Sequence, residues 1–285
     1  MTASERGRLS VVATPIGNLE DLTLRALRVL RECDAILAED TRRTRALCTH
    51  HGIGTPLRSF HAHTPEEKVA ALVDELRGGA HLALVSDAGT PLVSDPGARL
   101  VAAAAEAGVR VEPIPGPSAV LAALAAGGLR VGAFRFVGFL PKSGGRRARA
   151  LEQIARGSEA TVLFEAPGRL PATLRELAGA AGPERRAAVC RELTKLHEEI
   201  ARGSLGELCE RYAEPPRGEV TLLVEGAAGE EPGRWRSTAA SSRGRSWPRD
   251  AHQGRRAGAG GGDGDHGARG VRGDPRRGGE GRDGS

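Results

Sequence analysis

Aromatic side chains are scarce in this sequence. Phe, Trp and Tyr make up 3% of 285 residues, and both tryptophans stand beyond position 230. So sparse a supply argues against base stacking as the dominant way of holding nucleic acid. Long apolar runs are missing too. No stretch reaches the ~18 residues of a membrane-crossing helix, and the first residues carry no apolar signal core, so neither a membrane nor secretion is expected. The four cysteines, Cys33, Cys48, Cys190 and Cys209, show no CxxC spacing. That argues against a zinc site or a disulfide framework and suits a reducing cytosol. His50-His51 and His61-Ala62-His63 have no Cys or carboxylate at ligand spacing, so no metal is expected. No GxGxxG follows an apolar run, which removes the usual dinucleotide fingerprint.

Charge is present but unevenly spread. The whole chain carries +5, while Gly233–Ser285 holds 12 Arg, no Lys, 5 Asp and 1 Glu. The preceding 232 residues therefore have a net charge of −1, and global basicity says nothing about nucleic-acid binding by the body. The same tail has 15 Gly and no Leu, Ile, Phe or Met. Such a segment cannot bury enough surface to offset its chain entropy, so disorder is expected over 229–285.

Before the tail, short apolar runs alternate with helical periodicity. Leu9–Ala13, Ala35–Ala38, Leu82–Val85 and Val109–Ile114 read as strands. Leu22–Leu30, a segment from Thr41 to about His50, Glu66–Leu76 and Pro96–Ala107 read as helices. Thr64-Pro65-Glu66-Glu67 has capping-box spacing, and Asp95 suits an N-cap before Pro96. This alternation predicts an α/β fold with a mostly parallel sheet and helices on both faces. Pro113, Pro115 and Pro117 then punctuate the chain and mark a domain boundary. The second half is expected to repeat the pattern. Its strands fall near Phe134–Val137, Thr161–Glu165, Ala187–Glu192 and Glu219–Val224. Its helices fall near Ser118–Ala126, Arg146–Ala155, Leu170–Ala180 and Leu205–Tyr212. The domains expected are a flexible 1–8, an α/β domain over 9–115, a second over 116–228, and the tail.

Four loops rich in small residues could converge. They are Thr14–Leu19, the double turn Ser86–Gly97, Pro115–Ser118 and Phe164–Arg169. Parallel strands would bring the first two to one sheet edge, and a cleft between two domains is a favoured small-ligand site. An ordinary strand–turn–helix connection accounts for the same turns.

TPIGNL, AEDTRRTRALCTHHGI, LALVSDAGTPLVSDPG, PIPGPSA, VGFLP, RELTKLHEE and GEVTLLVEG stand in this order between about Leu9 and Gly226. On these strings the chain resembles the ribosomal RNA methyltransferase I group of the tetrapyrrole (precorrin) methylase-like superfamily. The resemblance implies a two-domain class III S-adenosylmethionine-dependent methyltransferase, with the cofactor bent in the interdomain cleft. It implies methylation of a cytidine ribose 2′-hydroxyl in 16S rRNA, at the decoding site of the small ribosomal subunit. It further implies a cytoplasmic homodimer. The chain departs from the family's usual His-Asn-Glu at His63-Thr64-Pro65-Glu66, and from Tyr-Glu-Ser at Phe164-Glu165-Ala166.

On that resemblance Pro15, Ile16 and Gly17 would wall the cofactor on one side. Asp87, Ala88, Gly89 and Thr90 would bind its other end, a carboxylate there suiting an amino group or a ribose hydroxyl. Pro117 and Ser118 open a helix whose free N–H groups suit the methionine carboxylate. Thr221 would meet the adenine edge. Each has a plain structural alternative: a βα loop, a turn-stabilising Asp, a buried sheet residue. A ribose hydroxyl is a weak nucleophile, and the candidates to assist it are Asp40, Glu165, Glu192 and Lys195, with salt bridges as the alternative. Arg42 and Arg43 (with Arg45), and Arg146 and Arg147 (with Arg149), are candidate phosphate contacts or simply solvated faces. Two rival functions stay open: a corrinoid or tetrapyrrole methyltransferase, and a non-catalytic RNA-binding protein. The resembling family carries an Ala- and Leu-rich helical domain where this chain has its Gly- and Arg-rich tail. A frameshift near Glu230–Arg236 and a genuine RNA-binding tail are the two readings of that change.

Overall fold

The computed structural model describes residues 7–227. The tail and both of its readings lie outside the described residues, as does the N-terminal segment before Gly7.

The first half runs β1 (Arg8–Val12), α1 (Leu24–Glu32), β2 (Ala35–Ala38), α2 (Thr41–His50), β3 (Leu57–Ser59), α3 (Glu66–Arg77), β4 (His81–Val85), α4 (Ala98–Glu106) and β5 (Arg110–Ile114). Its sheet has the order β3-β2-β4-β1-β5, and every pairing is parallel. The cause is in the strands. Alternate side chains are apolar on both faces, so both faces need covering. Leu9, Leu37, Leu82 and Leu84 pack with α3 and α4, while Val12, Ile36, Ala83 and Val85 pack with α1 and α2. Pro113 is tolerated in β5 because that strand is at the sheet edge.

The second half runs α5 (Ala119–Ala126), β6 (Phe134–Phe139), α6 (Gly144–Arg156), β7 (Ala160–Glu165), α7 (Leu170–Ala181), β8 (Arg186–Arg191), β9 (Glu199–Ser204), α8 (Leu205–Arg211) and β10 (Val220–Val224). It does not repeat the parallel pattern. The order is β6-β7-β10-β8-β9, and only β6 and β7 pair in parallel. β7 and β8 run the same way, and β10 returns between them in the opposite sense. The link from β8 to β9 is too short for a crossover, so those strands form an antiparallel pair.

Two helix starts differ from expectation. Thr64 caps nothing; its hydroxyl accepts from the His61 N–H at 2.9 Å, and Pro65 stands at the head of α3. Asp95 does not cap α4, which starts after Gly97 at a φ of +127°. A β-carbon at Gly97 would lie 2.7 Å from a Leu84 methyl, so only glycine fits. A capping box does form, between Ser204 and Glu207 at α8.

The halves share apolar contacts. Ile16 of the first packs with Ala123, Cys190 and Leu193 of the second. Val93 joins Val120, Val162, Ala188 and Leu223. The second core centres on Leu163, Leu174 and Leu222, all fully buried. Leu163→Ala should cost about 2–5 kcal/mol, because apolar surface goes unburied and a cavity is left behind. Urea denaturation checks this; an unchanged midpoint would place Leu163 outside the cooperative core.

Candidate active site

β1 and β4 are adjacent and parallel, so the loops leaving their carboxyl ends emerge together. They are tied by backbone: Thr14 N–H donates to the Gly89 carbonyl at 2.9 Å, and Gly89 N–H returns to Thr14 at 3.0 Å. The Thr14 hydroxyl donates to the Ser86 carbonyl at 3.3 Å. Thr90 Oγ1 donates to the Pro117 carbonyl at 3.2 Å, which brings in the loop before α5. Opposite these loops stand the end of β7 and the start of β10. Between them lies a cavity of about 420 Å³, within the range of small-ligand sites.

Ile16, Asp87, Ala88, Gly89, Thr90, Ser118 and Thr221 all line this cavity. Pro15 lines a smaller neighbouring cavity of about 110 Å³ instead. Pro117 takes part through the carbonyl that Thr90 binds. Gly17 faces the second half, where a β-carbon would strike the Lys195 side chain and lie 3.0 Å from the Leu193 carbonyl. Its small size thus serves close packing between the halves. Asp87 and Arg43 border both cavities, their charged ends 3.8 Å apart. Asp87 also accepts the Asp40 N–H at 3.0 Å.

Asp95, read from the sequence as a helix cap, lines the large cavity. The chain around it is unusual: Leu92 and Ser94 have φ of +74° and +70°, a conformation rare for residues with side chains. Burial pushes the Asp95 carboxyl up to about 6, with Glu39 and Asp87 adding repulsion and Ser86 opposing them. Among the described residues no cation pairs with it. Burial and Asp87 raise Glu39 in the same way. Arg43 lines the same cavity but is drawn to Asp87, which leaves Asp95 without a cation of its own among the described residues.

The four candidates for assisting the nucleophile are all engaged. Asp40 caps α2 and holds Arg42 at 2.8 Å, which lowers its carboxyl to about 2. It lines neither cavity. Glu165 does line the large one, yet its side chain is buried. Arg169 at 2.6 Å, the Thr173 hydroxyl at 2.6 Å and the Ala166 N–H at 2.8 Å occupy its oxygens. Lys195 lies between Glu192 at 2.8 Å and Glu219 at 3.0 Å. Its hydrogen bond holds Glu192 below the usual carboxylate range.

The family model for tetrapyrrole (corrin/porphyrin) methylases matches residues 8–209. The chain belongs to that family. A "Ribosomal RNA small subunit methyltransferase I" of Mesorhizobium japonicum is 49% identical over 218 residues, 76% of this chain and 74% of that protein. The protein of the same name from Thermotoga maritima is 43% identical over 77% of this chain and 99% of its own length. Among solved structures, uroporphyrin-III C-methyltransferase from Thermus thermophilus complexed with S-adenosyl homocysteine matches with a TM-score of 0.56 at 24% identity. That match covers 76% of this chain and 97% of the other. Diphthine synthase gives 0.56 at 18% identity, covering 76% and 90%. Likenesses at this identity show the fold: two α/β halves of the tetrapyrrole methylase type around one cleft.

On this tetrapyrrole methylase scaffold the arginines divide. Arg42, Arg146 and Arg149 are exposed. Arg147 is not available to a partner. The period of α6 sets it inward with Leu151 and Ile154. Its guanidinium meets Glu176, the Thr173 hydroxyl at 2.8 Å and the Pro141 carbonyl at 3.1 Å. Arg147→Ala should lower stability by about 2 kcal/mol, because buried acceptors lose their donor. Arg146→Ala should stay within about 0.5 kcal/mol of the unaltered chain. Thermal melts of both check this, and equal effects would refute the division.

Proposed function

We propose that this chain uses S-adenosylmethionine to methylate the ribose 2′-hydroxyl of a cytidine in 16S rRNA, at the decoding site of the small subunit. On this reading it acts as a homodimer in the cytoplasm. The observation that carries the reading is the 43–49% identity, across both halves of the cleft, to proteins named for methylation of small-subunit rRNA.

The residues present fit the cofactor. A cavity of about 420 Å³ suits a ligand of that size. Asp95 offers a half-buried carboxylate with no cation paired to it among the described residues, and the cofactor carries a sulfonium and an ammonium. The head of α5 has no side-chain cap at Ser118, so its N–H groups are open to a carboxylate. Thr221 and Phe164, paired across β10 and β7, give a partly apolar wall for a flat ring. When bound, S-adenosylmethionine supplies an electrophilic methyl on sulfur.

The chain's own contribution is alignment. The loops tied at Thr14–Gly89 and Thr90–Pro117 fix the wall against which the hydroxyl must be held, and orientation is a large part of such a rate. Asp40, Glu165, Glu192 and Lys195 act as struts on this reading. Glu165 with Arg169 and Thr173 sets the end of β7. Lys195 with Glu192 and Glu219 joins the β8–β9 turn to the start of β10. The hydroxyl proton passes to water at the open mouth.

Four measurements test the reading. Purified small subunits, incubated with the chain and S-adenosylmethionine, should gain one ribose methyl at a decoding-site cytidine; transfer to a precorrin instead would overturn it. Asp95→Asn should weaken cofactor binding at least tenfold by calorimetry, as expected for one charge-assisted hydrogen bond. The pH dependence has a definite sign. A cation favours the ionised carboxylate, and the free protein holds it protonated below about 6. Affinity should therefore fall about tenfold between about pH 7.5 and pH 5, and Asp95→Asn should flatten the profile. A profile identical in both proteins would remove Asp95 from the site. For RNA, Arg42→Ala with Arg146→Ala should reduce the salt slope of subunit binding by about 2, one for each phosphate no longer neutralised. An unchanged slope places the RNA face elsewhere.

A further inference from the structure

The sequence has five phenylalanines, and three of them meet at the cleft. Phe136 and Phe164 pack edge to face with centroids 4.9 Å apart, and Phe139 tilts onto Phe164 at 5.6 Å. Phe136 and Phe164 are partly covered, but Phe139 is 55% exposed at the cavity wall. Regular alternation along β6 would send Phe136 and Phe139 to opposite faces. A bulge prevents this. Phe136 pairs with Val162 and Phe139 with Phe164, so one extra residue lies between them on β6. Gly138 takes the left-handed turn at a φ of +64°, and a β-carbon there would lie 3.0 Å from Ser94 Oγ. Bulges beside active sites commonly re-aim a side chain. This one brings Phe139 to the cleft side, where more than half of its surface stays exposed. Further along the chain, Lys142 and, on α6, Arg146 and Arg149 are exposed, with no carboxylate partner among the described residues.

We propose that Phe139 is the stacking platform for an unpaired base of the RNA substrate, beside the ribose that the cleft receives. This rests on the function proposed above. The occupant follows from charge. An exposed aromatic ring followed within ten residues by three exposed cations suits a base joined to phosphates, the pairing of groups used by single-strand binding sites. A second copy brought to the patch by a two-fold axis would set those cations against themselves. One platform of this kind is compatible with few aromatics overall.

The test compares the full chain with Phe139→Ala, Phe139→Trp and Phe139→Leu, using purified small subunits and S-adenosylmethionine. Phe139→Ala should raise KM for subunits about tenfold, the effect of removing one stack. Cofactor affinity by calorimetry should change much less than KM for subunits, since Phe139 borders the same cavity, and the sedimentation coefficient should not move. Phe139→Trp should restore KM, and Phe139→Leu should not. The proposal is overturned if KM is unchanged, if leucine serves as well, if cofactor affinity falls instead, or if the oligomer dissociates. Absence of subunit methylation by the unaltered chain overturns both the proposal and the function it rests on. The variant outcomes, read on an active chain, overturn the proposal alone.

Discussion

Two backbone hydrogen bonds between Thr14 and Gly89 are the constraint on which the cleft depends. Each contributes only about 0.5–1.5 kcal/mol net, but together they fix the relative height of two loops that leave neighbouring parallel strands. Everything on that wall is positioned from there. Ile16 is held over Gly89 and inserts into the second half, against Ala123, Cys190 and Leu193. Thr90 reaches Pro117 and so sets the head of α5. Gly17 lets the first loop approach the β8–β9 turn without a side chain between them.

Electrostatics separates the scaffold from the open positions. Most carboxylates around the cleft are matched: Asp40 by Arg42, Glu165 by Arg169, Glu192 and Glu219 by Lys195. Matched groups hold geometry and are poor proton acceptors, since a neighbouring cation stabilises the charged form. Asp95 differs in being half-buried beside two further acids, with no cation at hand among the described residues. A folded protein tolerates this near a site where a positive ligand relieves it, which is why Asp95 bears more of the proposed cofactor reading than Asp87.

Much of the first half was legible in the sequence because its strands are short apolar runs between helices with clear periodicity. Parallel strands alone predict that the 14–19 and 86–97 loops share one sheet edge; the 115–118 loop joins them through the Thr90–Pro117 hydrogen bond. Strand direction in the second half was not legible: Thr161–Glu165 and Glu219–Val224 look alike as apolar runs but run oppositely. β9 escaped notice because Glu199-Ile-Ala-Arg-Gly-Ser has two apolar residues in six. Arg147 was read with its neighbours as one charged run, although a period of 3.6 already sets it with Leu151 and Ile154. Asp95 followed by Pro96 is good capping chemistry; only the left-handed turns at Leu92 and Ser94 and the packing at Gly97 move it to the cavity. Ion-pair partners such as Arg169 for Glu165 depend on side-chain direction, which residue spacing does not encode.

Hydrogen exchange with and without S-adenosylmethionine tests most directly whether the two halves form one cofactor cleft. Slowed amides are expected together in 86–95 and 117–121 of one wall and in 164–167 and 218–221 of the other. Protection confined to a single half, or absent from 86–95, would contradict a site shared between them.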